Sequence, residues 1–362
     1  MTKAMSLVGL DVHARQTHAA VLTPDTGELA VSKLRMEPAG VVGFLEGLGS
    51  DVRAVYEAGP TGFGLARTAR EHGVDVRVIA PGSIPKGSGD RVKTDRRDAI
   101  RLARLLAAGE LSFVFVPTVE DEYFRDLVRA IEDVRGDLMR ARHRLGKLLL
   151  RHGERYPGPG ANWTVKHMKW LGSVSFPDVC SQATFLDYLA SVQLLMGRRA
   201  TLIGTLEGQI AESSHAPVIA RLRCFRGVDT LTAAGLCAEI GSFSRFPKPT
   251  LLSGFLGVVP SERTSDTRRR QGSITKAGPP HARRLLVEAA HHYRHQPIIG
   301  ETLARRQAGQ DPRIIEITWR AQQRLHQRWQ HLHHQRHKPA SVVAIACARE
   351  LAAFLWEAAT LD

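Results

Sequence analysis

Apolar and polar positions along residues 1–118 alternate in a way that predicts short strands and amphipathic helices. Three short apolar runs within residues 6–36, separated by polar turns, predict an antiparallel meander. Helical patterns then precede two further apolar runs, at 52–58 and 74–81. Because a helix between two strands implies a parallel connection, we expect the run at 52–58 to lie parallel to the first strand.

Two long helices dominate the pattern after residue 118. Residues 119–152 carry apolar positions at mixed spacings of three, four and seven, which is typical of a helix that packs against another helix. A second long helix is predicted from about Thr184 to Ser213. Together they predict a helical hairpin that serves dimerisation, nucleic-acid binding or both.

The remainder of the chain is predicted to be mainly helical. A tight turn at Gly227 lies between two helical patterns and resembles a helix–hairpin–helix element, whose backbone N–H groups can hold a DNA phosphate. An ordinary helical turn fits the same residues. Residues 313–355 are also predicted to be helical. The predicted domains are 1–118, 119–216 and 217–362.

Four acidic residues stand out in the first predicted domain. Three antiparallel strands followed by alternating helices and strands is the order of an RNase H-like α/β fold, in which sites form at strand ends. Asp11 and Glu57 each end an apolar run. Asp95 and Asp98 follow Thr94, a candidate helix N-cap, and their spacing of three places them on one helix face. Each acid alone fits a structural role, such as complementing a helix dipole, but the set predicts a divalent-metal site.

The charge balance indicates a polyanionic partner. The chain of 362 residues has 50 Lys and Arg against 36 Asp and Glu, a net charge of +14. Arginine favours bidentate phosphate contacts, so nucleic acid ranks ahead of a membrane, although a merely basic enzyme has the same composition. The four scattered cysteines predict neither a zinc ribbon nor a disulfide framework. We expect a soluble, cytoplasmic, nucleoid-associated protein, because the sequence shows no long apolar run.

A second cluster of candidate chemistry lies in a polar segment after an apolar run that ends at Pro260. A serine in a flexible cationic loop can attack a phosphodiester, because nearby cations stabilise the alkoxide and the pentacoordinate phosphate. On composition alone, a loop hydroxyl among phosphate-binding arginines is the simpler interpretation. The candidate nucleophile is Ser265, and the candidate nucleic-acid-binding residues are Arg268, Arg269, Arg270, Lys276, Arg283 and Arg284.

These motifs together resemble one family over nearly the whole chain. The motifs are LDVH with Asp11, YEAGPTG with Glu57, KTDRRDA with Asp95 and Asp98, and LGVVPSERTS followed by GSITKAGPPHARRLLVEAA. They are similar to the DEDD-type transposases of insertion sequences of the IS-one-ten type, which are related to the Piv/MooV DNA invertases. The resemblance implies a RuvC-like N-terminal domain, a coiled-coil insertion and a mainly α-helical C-terminal transposase domain.

The resemblance also implies the chemistry. It implies that the four acids bind Mg²⁺ (or Mn²⁺) and that a serine of the C-terminal domain is the nucleophile. Ser265 falls on the family's serine, but Asp266 replaces the glycine that usually follows, which places a negative charge beside the nucleophile. Ser261 and Ser273 are the alternatives. The implied partners are donor and target double-stranded DNA, an element-encoded bridge RNA, and further copies of the chain in a dimer or tetramer. The family further implies a composite site, in which the four acids and the serine meet across a subunit boundary.

The resulting hypothesis is a transposase or recombinase that forms a covalent phosphoserine–DNA intermediate. Two alternatives remain open. A RuvC-like, metal-dependent junction nuclease would use the same carboxylates and an activated water. A non-catalytic nucleic-acid-binding protein would use neither. A covalent protein–DNA adduct distinguishes the first hypothesis from both alternatives.

Overall fold

The computed structural model describes residues 5–35, 37–84, 94–265 and 268–361, and of these the side chains of 83, 263–265 and 268–271 lie outside the description. The chain forms two compact units, Met1–Thr118 and Val119–Asp362.

The first unit is built on a five-stranded sheet with the strand order β3-β2-β1-β4-β5. β1 is antiparallel to β2 and parallel to β4, β2 is antiparallel to β3, and β4 is parallel to β5. The predicted meander and the predicted parallel strand are therefore confirmed. The described strands and helices are β1 (Ser6–Val12), β2 (Thr17–Leu22), β3 (Leu29–Leu34), α1 (Pro38–Leu48), β4 (Val52–Glu57), α2 (Gly64–Glu71), β5 (Asp75–Ile79) and α3 (Asp95–Ala107).

Helices cover both faces of this sheet. Leu10 and Tyr56 face a core that includes side chains of α1 and α2. Ala20 and Val55 face the opposite way, toward side chains of α3. Burial on both faces explains why β1 and β4 have nearly continuous apolar sequences rather than an alternating pattern.

Gly9 allows the backbone of α3 to lie directly on β1. A Cβ atom at Gly9 would lie 2.1 Å from the Ala99 carbonyl oxygen and 2.5 Å from the Ala103 backbone nitrogen. Side chains two residues apart on a strand point to the same face, so Asp11 points to the face that α3 covers. The glycine thereby lets the N-terminal turn of α3 approach Asp11.

The second unit is mainly helical. Its described helices and strands are α4 (Val119–Arg151), α5 (Val165–Leu171), α6 (Val179–Ile210), α7 (Ala216–Leu222), α8 (Thr230–Ile240), α9 (Pro249–Phe255), β6 (Pro260–Ser265), β7 (Arg268–Ile274), α10 (Pro280–His291), α11 (Glu301–Gln307), α12 (Pro312–Gln330) and α13 (Ala340–Ala359). No described helix combines the length and the hydropathy that a bilayer-spanning segment needs.

The two long helices, α4 and α6, pack against each other in an antiparallel arrangement. Ile131 in the first half of α4 shares a core with Leu206 near the end of α6. Leu145 near the end of α4 shares another core with Phe185 near the start of α6. The predicted start of α6 at Thr184 was wrong, because Asp178 caps the helix by accepting a hydrogen bond from the Ser181 N–H at 2.8 Å.

The C-terminal segment is divided into two helices rather than one. α12 ends in a π-helical turn, His331–Gln335, and α13 begins only after Pro339. The helical character predicted for 313–355 is confirmed on both sides of this break, where Pro339 has no N–H to continue a helix. Cys347 and Leu351 of α13 lie in the large core that α7 to α10 and α12 also line.

Candidate functional site

Three potential metal-ligating side chains converge at one edge of the sheet in the first unit. Asp11, His18 and Asp95 each offer one ligand atom, and these atoms lie within 4.8 Å of one another. His18 Nδ1 lies 3.7 Å from Asp95 Oδ2. A fourth side chain, His13, places its Nε2 atom 3.2 Å from Asp11 Oδ2 and 3.7 Å from Asp95 Oδ1.

Local structure explains why these residues meet. Asp11 on β1 pairs directly with His18 on the antiparallel strand β2. Asp95 is the first residue of α3, whose N-cap Thr94 accepts a hydrogen bond from the Arg97 N–H through its side-chain oxygen, at 3.4 Å. This capping confirms the helix start that the sequence predicts.

Glu57 and Asp98, the other two predicted acids, lie nearby. Among the described residues, they are not part of the cluster formed by Asp11, His18 and Asp95. Leu10 and Tyr56 are partners in the β1–β4 register, so the next residues along the two strands, Asp11 and Glu57, have Cα atoms about 5 Å apart. Glu57 is exposed. Asp98 acts on Asp11 electrostatically from the first turn of α3.

The electrostatics of this group favour a bound cation. Burial raises the pKa of Asp11 above its usual value, His13 opposes this increase, and the negative charges of Asp95 and Asp98 add to it. A cation bound between partly buried carboxylates stabilises their ionised forms, because it offsets their mutual repulsion. His18 Nδ1 is buried and has no hydrogen-bond partner. Two carboxylates suit Mg²⁺ or Mn²⁺, and the imidazole favours Mn²⁺ over Mg²⁺, so the donor set fits a divalent ion.

His18 was not among the ligands predicted from the sequence, and its contribution to metal binding can be tested with Mn²⁺. We expect His18→Gln to weaken Mn²⁺ binding about tenfold or more, because it removes the imidazole donor. Electron spin-echo spectroscopy of bound Mn²⁺ should show a ¹⁴N coupling in the unmodified protein and in His13→Gln, but not in His18→Gln. A ¹⁴N coupling that persists in His18→Gln would contradict this role.

The candidate serine lies on a two-stranded antiparallel hairpin in the second unit. Ser265 is the last residue of β6 and pairs with Arg268, the first residue of β7. The prediction of a flexible loop was therefore wrong for the backbone of these two residues. A ribbon held by its ladder of backbone hydrogen bonds needs no apolar alternation, so the residues around Ser265 carry no strand pattern, although the sequence predicts a short strand containing Ile274, the last residue of β7.

Most of the predicted chemistry on this hairpin lies outside the described part of the chain. Asp266 lies outside the described residues, and so do the side chains of Ser265 and of the arginines that follow it, Arg268, Arg269 and Arg270. Their catalytic and binding roles stay predictions.

The base of the hairpin is fixed by close backbone contacts with the end of α9. Gly257 and Gly278 both have positive φ, and a Cβ atom at Gly278 would lie 1.8 Å from the Phe255 carbonyl oxygen. Lys276 donates its backbone N–H to the Gly257 carbonyl at 3.1 Å. Its φ of 56° is unusual for a residue with a side chain, and such strain concentrates at functional segments. Lys276 is exposed beside the strand that carries the candidate arginines.

The two arginines predicted on the next helix, α10, are engaged within the protein. Arg283 donates to the carbonyl oxygens of Leu256, at 3.1 Å, and Ala277, at 2.8 Å. Arg284 forms ion pairs with Glu132 and Glu288, both at 2.6 Å. These contacts hold α10 in place, and the nucleic-acid-binding roles of Arg283 and Arg284 stay predictions.

A buried carboxylate, which the sequence analysis missed, ties α4, α8 and α10 together. Glu239 is only 3% exposed and accepts two hydrogen bonds from Arg129, at 3.1 and 2.8 Å, and one from His281 Nδ1, at 3.3 Å. Burial alone would raise the pKa of Glu239, but the hydrogen bonds from His281 and Arg129 outweigh it and lower the pKa to about 2. Because α10 follows the hairpin directly, this network also anchors the hairpin's C-terminal connection.

We expect Glu239→Gln to destabilise the second unit by about 2–3 kcal/mol at pH 7, a value reduced because Arg129 is half exposed. The pKa of Glu239 is lower in the folded state, so its stabilisation is present above about pH 4.5 and is lost as the pH falls toward 2. Urea unfolding followed by tryptophan fluorescence measures this, because all five tryptophans lie in the second unit.

The unmodified protein should therefore lose stability between pH 5 and pH 3 more steeply than Glu239→Gln. Glu288→Gln is the control, since that side chain is 59% exposed and its removal should cost less than about 1 kcal/mol. Equal pH dependence in the unmodified protein and Glu239→Gln would contradict the assignment.

Comparison with known proteins identifies the family. Residues 8–153 match the DEDD-type IS110 transposase domain, and residues 219–303 match the family described as "Transposase IS116/IS110/IS902 family". The first match includes the five-stranded sheet and supports the RNase H-like fold expected of such a domain.

Individual relatives agree with these domain matches. Protein y4qE of Sinorhizobium fredii, which is named as a transposase, is 42% identical over 83% of this chain and 73% of its own length. The transposase for insertion sequence element IS1533 of Leptospira borgpetersenii is 32% identical over 91% of this chain and 97% of its own length. The transposase for IS1111A of Coxiella burnetii is 25% identical over 62% of this chain and 61% of its own length. From these matches, the chain belongs to the IS116/IS110/IS902 family of insertion-sequence transposases, enzymes of DNA transposition.

Proposed function

We propose that this transposase cuts and rejoins DNA with a divalent-metal site in its first unit and the Ser265 hydroxyl as the nucleophile. The observation that carries the proposal is the convergence of Asp11, His18 and Asp95, whose ligand atoms lie within 4.8 Å of one another. Glu57 on the neighbouring strand and Asp98 in the same helical turn as Asp95 complete the set of acidic residues.

Each part of the proposed metal site has a separate task. Asp11 and Asp95 hold the ion with carboxylate oxygens, and His18 contributes Nδ1. When bound, a divalent ion acts as a Lewis acid on a phosphoryl oxygen of the scissile group. His13, half exposed beside Asp11, orients that carboxylate through the contact between Nε2 and Oδ2.

The covalent step conserves the phosphodiester bond. The Ser265 oxygen forms a bond to phosphorus, the bond from phosphorus to one DNA oxygen breaks, and the serine proton ends on that leaving oxygen. A DNA hydroxyl oxygen then bonds to the same phosphorus, the bond from phosphorus to the Ser265 oxygen breaks, and the hydroxyl proton ends on that serine oxygen, so that strands are resealed without an external energy source. Arg268, Arg269, Arg270 and Lys276 stabilise the charge that develops on phosphate.

Two features of the partners extend the proposal. The net charge of +14 suits the binding of donor and target duplexes, and of an element-encoded bridge RNA that pairs with both. A dimer or tetramer would hold two duplexes in one assembly, and the DEDD residues of one subunit would then work with the serine of another.

The test uses the purified protein, the RNA encoded beside it and a plasmid with the flanking DNA. We expect a detergent-resistant protein–DNA adduct in the presence of Mg²⁺ or Mn²⁺, and its loss with a chelator. Cleavage without an adduct would replace the proposal with a RuvC-like nuclease. Binding without cleavage would replace it with a non-catalytic nucleic-acid-binding role.

A further inference from the structure

A cavity of about 460 Å³ lies between α4, α6 and the segment before α5 in the second unit. Its lining combines cationic, aromatic and apolar side chains and includes no carboxylate. The lining residues are Arg135, Leu138, Met139, Arg142, His143, Trp163 and Arg199. We refer to this cavity as the arginine pocket.

Two arginines in the pocket lack an acidic partner among the described residues. The Nε atoms of Arg142 and Arg199 are both buried without a hydrogen-bond partner. Burial lowers the pKa of Arg142, and the positive charge of Arg199 lowers it further. Two partly buried cations that repel each other cost folding free energy, and an anion bound between them would reduce that cost.

Two other arginines on the same helix are paired with acids of α4. Arg135, at the edge of the pocket, is paired through two hydrogen bonds of 2.7 Å with Glu132. Arg140 is paired with Asp137 on the exposed side of α4. Arg135 and Arg140 thus form ion pairs with acids of the same helix, whereas Arg142 lines a pocket that contains no carboxylate.

Trp163 positions one of the two cations. Its ring lies 5.0 Å from the Arg142 guanidinium carbon and packs edge-on against His167. The backbone of Trp163 has a φ of 70°, an unfavourable value for a residue with a large side chain. Strain of this kind persists where the surrounding structure holds a side chain in place, here as a platform for Arg142.

We propose that the arginine pocket binds a phosphodiester group of nucleic acid that runs along α4 and α6. Two guanidinium groups without acidic partners are the donors that recognise a phosphate through forked hydrogen bonds. The proposal rests on nucleic-acid binding by the chain and on neither the Ser265 nucleophile nor the metal site.

The experiment compares two double variants of the full chain that lose the same charge from the same two helices. Arg142→Gln/Arg199→Gln removes the pocket arginines, and Arg140→Gln/Arg198→Gln removes exposed ones. Fluorescence anisotropy measures binding to a DNA duplex and to an RNA duplex of equal length, without metal, over a range of salt concentrations. For the pocket variant, we expect binding about tenfold weaker, and a slope of log K against log salt smaller by about 1–2.

The control variant should change both quantities less. Loss confined to the RNA duplex identifies guide RNA as the source of the phosphate, and loss confined to the DNA duplex identifies DNA. Loss with both identifies a backbone site shared by the two. Equal slopes for the pocket and control variants with both duplexes would overturn the proposal.

A stability measurement separates binding from a structural role. Because the two cations repel each other, the pocket variant should unfold at the same or a higher urea concentration than the unmodified protein. Lower stability with unchanged binding would show that the arginines are structural and would overturn the proposal. If the double variant fails to fold, Arg199→Gln carries the same test, since it retains Arg142 and its contact with Trp163.

Discussion

Replacing Asp95 by Asn is expected to lower the rate of DNA strand cleavage by at least about 10³-fold. The substitution removes a carboxylate that lies 3.7 Å from both His13 Nε2 and His18 Nδ1 at the edge of the sheet. A bound metal contributes several kcal/mol of transition-state stabilisation, and each tenfold change in rate corresponds to about 1.4 kcal/mol. The effect is measured as the rate of strand cleavage of a labelled DNA substrate, in Mg²⁺ and separately in Mn²⁺.

The fold should survive this change. Thr94 continues to cap α3, and the lost interaction between Asp95 and the helix dipole is worth only about 0.3–1 kcal/mol. Asp75→Asn is the matched control, because that acid begins β5 at the opposite end of the sheet. If Asp95→Asn cleaved DNA within tenfold of the rate of Asp75→Asn, the proposed metal site would be wrong.

Replacing Ser265 by Ala is expected to abolish the covalent protein–DNA adduct, while metal and DNA affinities stay close to those of the unmodified protein. Alanine has no oxygen to bond to phosphorus, so the covalent route is lost completely rather than slowed. The adduct is measured by denaturing electrophoresis of labelled DNA, and binding is measured separately by anisotropy.

Ser261→Ala and Ser273→Ala are the controls for this prediction, since both serines lie on the same hairpin. Each should retain the adduct. Loss of the adduct in one of these variants and its retention in Ser265→Ala would move the nucleophile to that serine. It would also give a physical role to Asp266, whose charge disfavours an alkoxide next to it.

The sequence predicted the first unit well because its signals are local. The apolar runs fix the strands, and Thr94 fixes the start of α3, so Asp11, Asp95 and Asp98 could be expected near one another. His18 was missed because its position depends on the register of two strands, in which Asp11 pairs with His18. The register depends on which residues are buried on each face of the sheet, and a single sequence does not give this burial directly.

The second unit was harder to predict because its polar contacts join residues far apart in the chain. The hydrogen bond between His281 and Glu239 and the ion pair between Arg284 and Glu132 leave no periodic signal. The same holds for Arg142 and Arg199, which belong to different helices and meet only when α4 and α6 pack. Net charge predicted a nucleic-acid partner, but only the packing distinguishes arginines that have acidic partners from those that lack them.

The most direct test of the account is to identify the residue that becomes attached to DNA. The adduct formed by the unmodified protein would be digested with nuclease and trypsin and analysed by tandem mass spectrometry. Cleavage after Arg263 and Arg268 releases the peptide TSDTR, in which Ser265 is the only serine. The account predicts a nucleotide remnant on the Ser265 oxygen. A remnant on any other residue, or cut DNA that carries no protein, would contradict it.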